Sequence, residues 1–132
     1  MTVTRSDVAI NRKFLEMIKL LNIYLNHFPK HEKFALANRM RDTAYEMFDL
    51  ITEGRKKYHK KTTLQNLDIK HQQLRMQVYL ANELGYFDFK DGAKSAESRD
   101  RLLKITAVLD EVGKLIGAWI KSKDLTKVLS NG

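Results

Sequence analysis

Leu102-Leu-Lys-Ile-Thr-Ala-Val-Leu-Asp-Glu-Val-Gly-Lys-Leu-Ile-Gly-Ala-Trp-Ile-Lys121 is the stretch from which the fold is read. Leu102, Ile105, Leu109, Val112, Ile116 and Trp119 recur at alternating steps of three and four, so they form one stripe of a helix that needs partners. Gly113 and Gly117 interrupt that helix, at a cost of about 1 kcal/mol each relative to Ala. Four residues apart, they share a face, and the expected reason for them is a close backbone approach, between subunits and beside Trp119.

Working outward, three more helices are expected to supply the partners. The first spans about 8–27, with Phe14, Ile18, Leu21, Leu25 and Phe28 on one stripe. Leu15, Met17, Leu20, Ile23 and Tyr24 make its apolar surface wider than a single-faced bundle helix requires, which points to a homo-oligomer. Pro29 ends it. The second helix, about 32–53, carries Leu36, Ala37, Met40, Ala44, Met47, Phe48 and Ile51 on its stripe and is expected to stop at Gly54. Asp42, Glu46, Asp49 and Glu53 lie about 200° round from that stripe and should face away from the core. Thr62-Thr63-Leu64-Gln65 has the form of a capping box for the third helix, about 62–86, whose stripe includes His71. A loop with Lys90-Asp91-Gly92 as its turn precedes the fourth helix, about 98–122, with Ser95 or Ser98 as N-cap and a polar tail over 123–132. The result is one all-α domain: an antiparallel up-down-up-down four-helix bundle.

The 132 residues suffice for one core, and a single Pro with six Gly suits long helices with few turns. Without Cys there is no disulfide, thiol catalysis or thiolate metal site, and a reducing cytoplasm suits the chain. Arg5, Asp7, Arg12, Lys13, Glu16 and Lys19 break up the first twenty residues, so neither a signal peptide nor a membrane span is read there. The net charge is +8, of which Arg55, Lys56, Lys57, Lys60 and Lys61 supply five within seven residues free of acid. Such a cluster suits a polyanion, although a solvated turn would carry the same run.

Catalytic patterns are thin. There is no Gly-x-Ser-x-Gly, no Gly-rich phosphate loop and no His-Glu-x-x-His. The acidic line lacks the Glu-x-x-His partners of a di-iron bundle, and Pro29 separates His27 from His31, so no metal or other cofactor is expected. Arg55 and His59 resemble the Arg and His of helical HEPN-class ribonucleases, but with only three residues between them. His71 lies on an apolar stripe, which suits a hydrogen-bonded core histidine better than phosphotransfer.

Phe28-Pro-Lys-His-Glu-Lys-Phe34, Ile51-Thr-Glu-Gly54, Leu64-x-x-Leu67-Asp68 and Leu74-Arg75 resemble the four-helix-bundle proteins encoded in intervening sequences of bacterial ribosomal RNA genes. Glu111-Val-Gly-Lys-Leu-Ile-Gly-Ala-Trp-Ile-Lys-Ser122 is similar, more specifically, to the accessory variability determinant (Avd) proteins of diversity-generating retroelements. The resemblance covers about residues 10–122. Where intervening-sequence proteins carry a Ser- and Asn-containing run before Ala-Glu-Gly, this chain has Tyr45-Glu-Met-Phe-Asp-Leu-Ile-Thr-Glu-Gly54, which favours the retroelement branch. The resemblance implies a basic, non-enzymatic, bacterial or phage-encoded protein that forms a homopentameric barrel. It further implies binding to the element's reverse transcriptase and to RNA, with DNA or an RNA/DNA hybrid as alternatives, and support for template-RNA-dependent cDNA synthesis. The residues expected to hold phosphates are Arg55, Lys56, Lys57, Lys60, Lys61, Lys114, Lys121 and Lys123, with no catalytic residue. Those expected between subunits are Met17, Leu20, Tyr24, Gly113, Gly117 and Trp119. The alternatives are an RNA-binding bundle of the ribosomal type and a helical ribonuclease.

Overall fold

A computed structural model describes residues 5–56, 60–91 and 95–131. It contains α1 (Arg5–Leu25), a 3-10 turn at Lys30–Glu32, α2 (Leu36–Lys56), α3 (Lys60–Glu83) and α4 (Ala96–Asn131). Among the described residues there is no strand, and no helix is long and apolar enough to cross a membrane.

Successive helices run antiparallel, and a polar pair marks the register at each seam. Arg41 donates to Asn22 and Asn26 between α2 and α1, Lys70 pairs with Glu46 at 2.8 Å between α3 and α2, and Arg75 pairs with Asp110 between α3 and α4. Lys13 closes the circuit to α4 through Glu111 at 2.6 Å, and the two carboxylates of Glu111 and Glu16 raise its pKa above the ordinary lysine value. Partly exposed pairs of this kind contribute less than about 1 kcal/mol each and set register more than stability. Stability comes from the stripe residues: Phe14, Leu21, Met40, Met47, Ile51, Leu67, Leu74, Ile105, Val112 and Ile116 all lie in one buried core. α1 and α2 make the most open seam and α2 and α3 the closest.

The helix ends differ from the sequence reading, by two or three residues at α1 and at the starts of α3 and α4 and more instructively elsewhere. α2 begins at Leu36 rather than near 32, because Lys30–Glu32 form a separate 3-10 turn and the Glu32 carboxylate accepts the Leu36 backbone N–H at 3.2 Å. α2 also continues past Gly54 to Lys56. α3 stops at Glu83, because Gly85 takes φ +79° and the Tyr86 N–H reaches back to the Ala81 carbonyl at 2.9 Å. α4 does not end at Ser122 but runs on to Asn131, which makes it 36 residues and about 54 Å long. Its N-cap is Ser95, whose Oγ accepts from the Ser98 N–H at 3.0 Å. Thr62 lies inside the first turn of α3 rather than ahead of it.

Candidate nucleic-acid interface

The glycine expected to end α2 serves a packing contact instead. A methyl placed on Gly54 would sit 3.0 Å from Trp119 Cη2 and 3.5 Å from Leu64 Cδ2, so the indole packs against bare backbone where α2, α3 and α4 meet. That contact fixes the height of α4 beside the α2–α3 connection. α4 then continues twelve residues beyond Trp119, which places Lys121 and Lys123 at the same end of the bundle as the basic cluster.

Within the cluster the side chains have different environments. Arg55 is half-buried, and with the Asn11 amide turned oxygen-inward both terminal guanidinium nitrogens donate to it, at 2.9 and 2.5 Å. Arg55 therefore ties the end of α2 to α1, a structural use that the charge count alone did not separate from phosphate binding. Lys56 and Lys61 are exposed on either side of the connection. Lys57, Tyr58 and His59 lie outside the described residues; Lys60 opens α3 and Lys123 lies within α4, but their side chains are outside what the structure describes. Lys121, about 200° round α4 from Trp119, is exposed and turned away from the core. Lys114 shares that outer face one heptad earlier, between a groove shared with Arg12, Lys13 and Glu111 and another holding Asp68, Arg75 and Asp110. Its surroundings are of mixed sign. The described lysines exposed at the basic end are thus Lys56, Lys61 and Lys121. Their ammonium groups are point charges that attract phosphates without reading bases.

His71 is 6% exposed, and its Nε2 donates to the Leu109 carbonyl at 2.8 Å, so this histidine is a core residue as its stripe position predicted. Asp42, Glu46 and Asp49 are exposed, as their phase required.

A family model described as bAvd-like matches residues 8–123. The chain belongs to the bAvd-like family. The matched span takes in the packed part of all four helices and every lysine and arginine of the expected interface. No curated protein and no solved structure matches the chain.

In this bAvd-like bundle, most residues expected between subunits prove to be internal. Met17, Tyr24 and Trp119 are 0%, 7% and 6% exposed, which leaves them nothing to offer a second copy, and Leu20 is half-buried against the same core. Gly113 does mark a close approach, but within the chain: a methyl there would lie 2.6 Å from His71 Cε1 and 2.9 Å from Nε2. At Gly117 nothing lies within 4 Å, so that position stays open. Exposed apolar surface remains on α1 at Leu15 and Ile23, and a larger share lies on α3 at Ile69, Met76, Tyr79 and Leu80, with Leu84 just past its end. The signal was legible. Ile69 and Met76 are seven residues apart and lie outside the stripe Leu64, Leu67, His71, Leu74, Val78, Ala81, giving α3 a second apolar face.

Proposed function

We propose that this protein is a non-catalytic accessory factor of a diversity-generating retroelement. It self-associates, as a pentameric ring, binds the element's reverse transcriptase and supports copying of template RNA into cDNA. The basic end, around Lys56, Lys57, Lys60, Lys61, Lys121 and Lys123, holds RNA by its phosphates while the bundle docks the polymerase. The observation that supports this reading most is the gathering of exposed lysines at one end of a bundle whose family is bAvd-like. A ring repeats that end around one axis, so attraction to a polyanion becomes multivalent.

Binding through phosphates alone is salt-sensitive and largely indifferent to sequence. Fluorescence anisotropy on a labelled single-stranded RNA tests it, with a DNA strand and an RNA/DNA hybrid of the same sequence in parallel. Changing Lys56, Lys57, Lys60 and Lys61 to Gln should weaken binding and flatten the log Kd against log salt plot by up to about 3, at roughly 0.7 per lost contact on a single strand. Circular dichroism should show unchanged helix content. Equal affinity and an equal salt slope in the variant would remove the basic end from nucleic-acid binding.

A further inference from the structure

Two outer faces of the bundle are complementary in charge and in hydrophobicity. The first is the α2–α3 groove. Ile69 and Leu80 line it from α3, and Met76 falls within the same narrow arc of the helix; the three are 54%, 46% and 52% exposed. On its α2 wall, Glu46 pairs with Lys70, while Asp42 and Asp49 form no ion pair among the described residues. Arg39 and the paired Lys70 are the cations of this groove, and Asp42 and Asp49 remain as two carboxylates that a basic protein surface can pair with.

Such a surface exists on the same molecule. The outward face of α1 presents Leu15 and Ile23, 51% and 55% exposed, alongside the exposed cations Arg12 and Lys19. The acid beside them, Glu16, is neutralised by Lys13 at 3.0 Å. Arg12 to Lys19 and Asp42 to Asp49 are both seven-residue steps, about 10.5 Å along a helix axis. Two cations can therefore meet two carboxylates while Leu15 and Ile23 settle on Ile69, Met76 and Leu80. α1 lies diagonally across the bundle from α3, so these faces look away from each other and cannot meet within one chain.

We infer that the α2–α3 groove is the docking site for the outward face of α1 from a second copy of this chain. The pairing is heterologous: each copy presents its α1 ridge to one neighbour and its groove to the other, the type of contact that generates closed rings. The inference rests on the self-association in the proposed function and identifies the surfaces that perform it. Docking covers the exposed apolar residues of α3 and leaves the basic end uncovered.

Light scattering on the purified full chain tests the pairing by reversing charge on one face at a time. Asp42→Lys with Asp49→Lys alters the groove, and Arg12→Glu with Lys19→Glu alters the ridge. Each double variant should fall to the mass of one chain, 15.4 kDa. The fourfold variant, in which every contact is reversed consistently, should return to the wild-type mass. Should a reversal reduce helix content, Met76→Ser with Leu80→Ser repeats the groove arm without a charge change, and the same fall in mass is expected. A monomeric wild type overturns self-association altogether. An assembled wild type whose single-face variants keep its mass overturns this docking alone, and dissociation without recovery in the fourfold variant overturns the pairing of these two faces.

Discussion

At Gly113 the absence of one methyl group decides how α3 meets α4. The Leu109 carbonyl lies one turn earlier on the same helix, and with no side chain at 113 the His71 ring can reach it and donate from Nε2 at 2.8 Å. A buried imidazole without that acceptor would carry an unsatisfied donor, which costs about 1–3 kcal/mol. Gly113→Ala gains about 1 kcal/mol of helix propensity but pushes a methyl into the ring, so the net effect should be a loss of about 1–2 kcal/mol in urea unfolding. Gly117→Ala meets nothing and should instead stabilise by up to about 1 kcal/mol. The two glycines are four residues apart and identical in sequence terms, yet the substitutions should move stability in opposite directions. Equal shifts would mean that His71 does not depend on the space at Gly113.

At the scale of the element, the stripes of α1 to α4 could be read from spacing because burial imposes the helical period on every apolar position. The ends could not be, because they depend on contacts between distant residues. Gly54 has the form of a helix stop, but Trp119, sixty-five residues away, requires the space that its missing side chain leaves. Arg55 counts as a cation in a basic run, but its guanidinium is engaged by Asn11 on α1. The start of α2 is a similar case, since Glu32 caps the helix from outside it. Its carboxyl pKa is lowered first by the Leu36 N–H and then by the Tyr86 hydroxyl, and the negative charge also suits a helix N-terminus. A carboxyl depressed in the folded state contributes stability that is fully present above its unfolded value of 4.5 and is lost as pH falls through the folded pKa. Glu32→Gln should therefore lower Tm at pH 7, and the gap from wild type should close as the pH drops below 4.5. A gap of constant size down to pH 3 would show that the charge of Glu32 does not support the cap.

For the whole molecule, the distribution of surface separates two tasks. Exposed lysines gather where α2, α3 and the extended α4 come together, whereas the acidic and apolar strip along α2 and α3 lies on a flank. The basic end was legible because like charges adjacent in sequence stay adjacent in space when they span a short connection. The apolar flank was harder to place, since the apolar residues of α1 and α3 divide between core and surface only once the neighbouring helices are in position; Met17 and Tyr24 went inward, Leu15 and Ile23 outward. The accessory role proposed above would join these surfaces in one activity, with RNA held at the basic end and presented to a polymerase docked on the same assembly. The most direct measurement is primer extension by the purified reverse transcriptase of the retroelement on its template RNA, with and without this protein. Full-length cDNA should depend on adding the protein and should fall with the Lys56, Lys57, Lys60 and Lys61 to Gln variant. The same cDNA yield in its absence would contradict the accessory role.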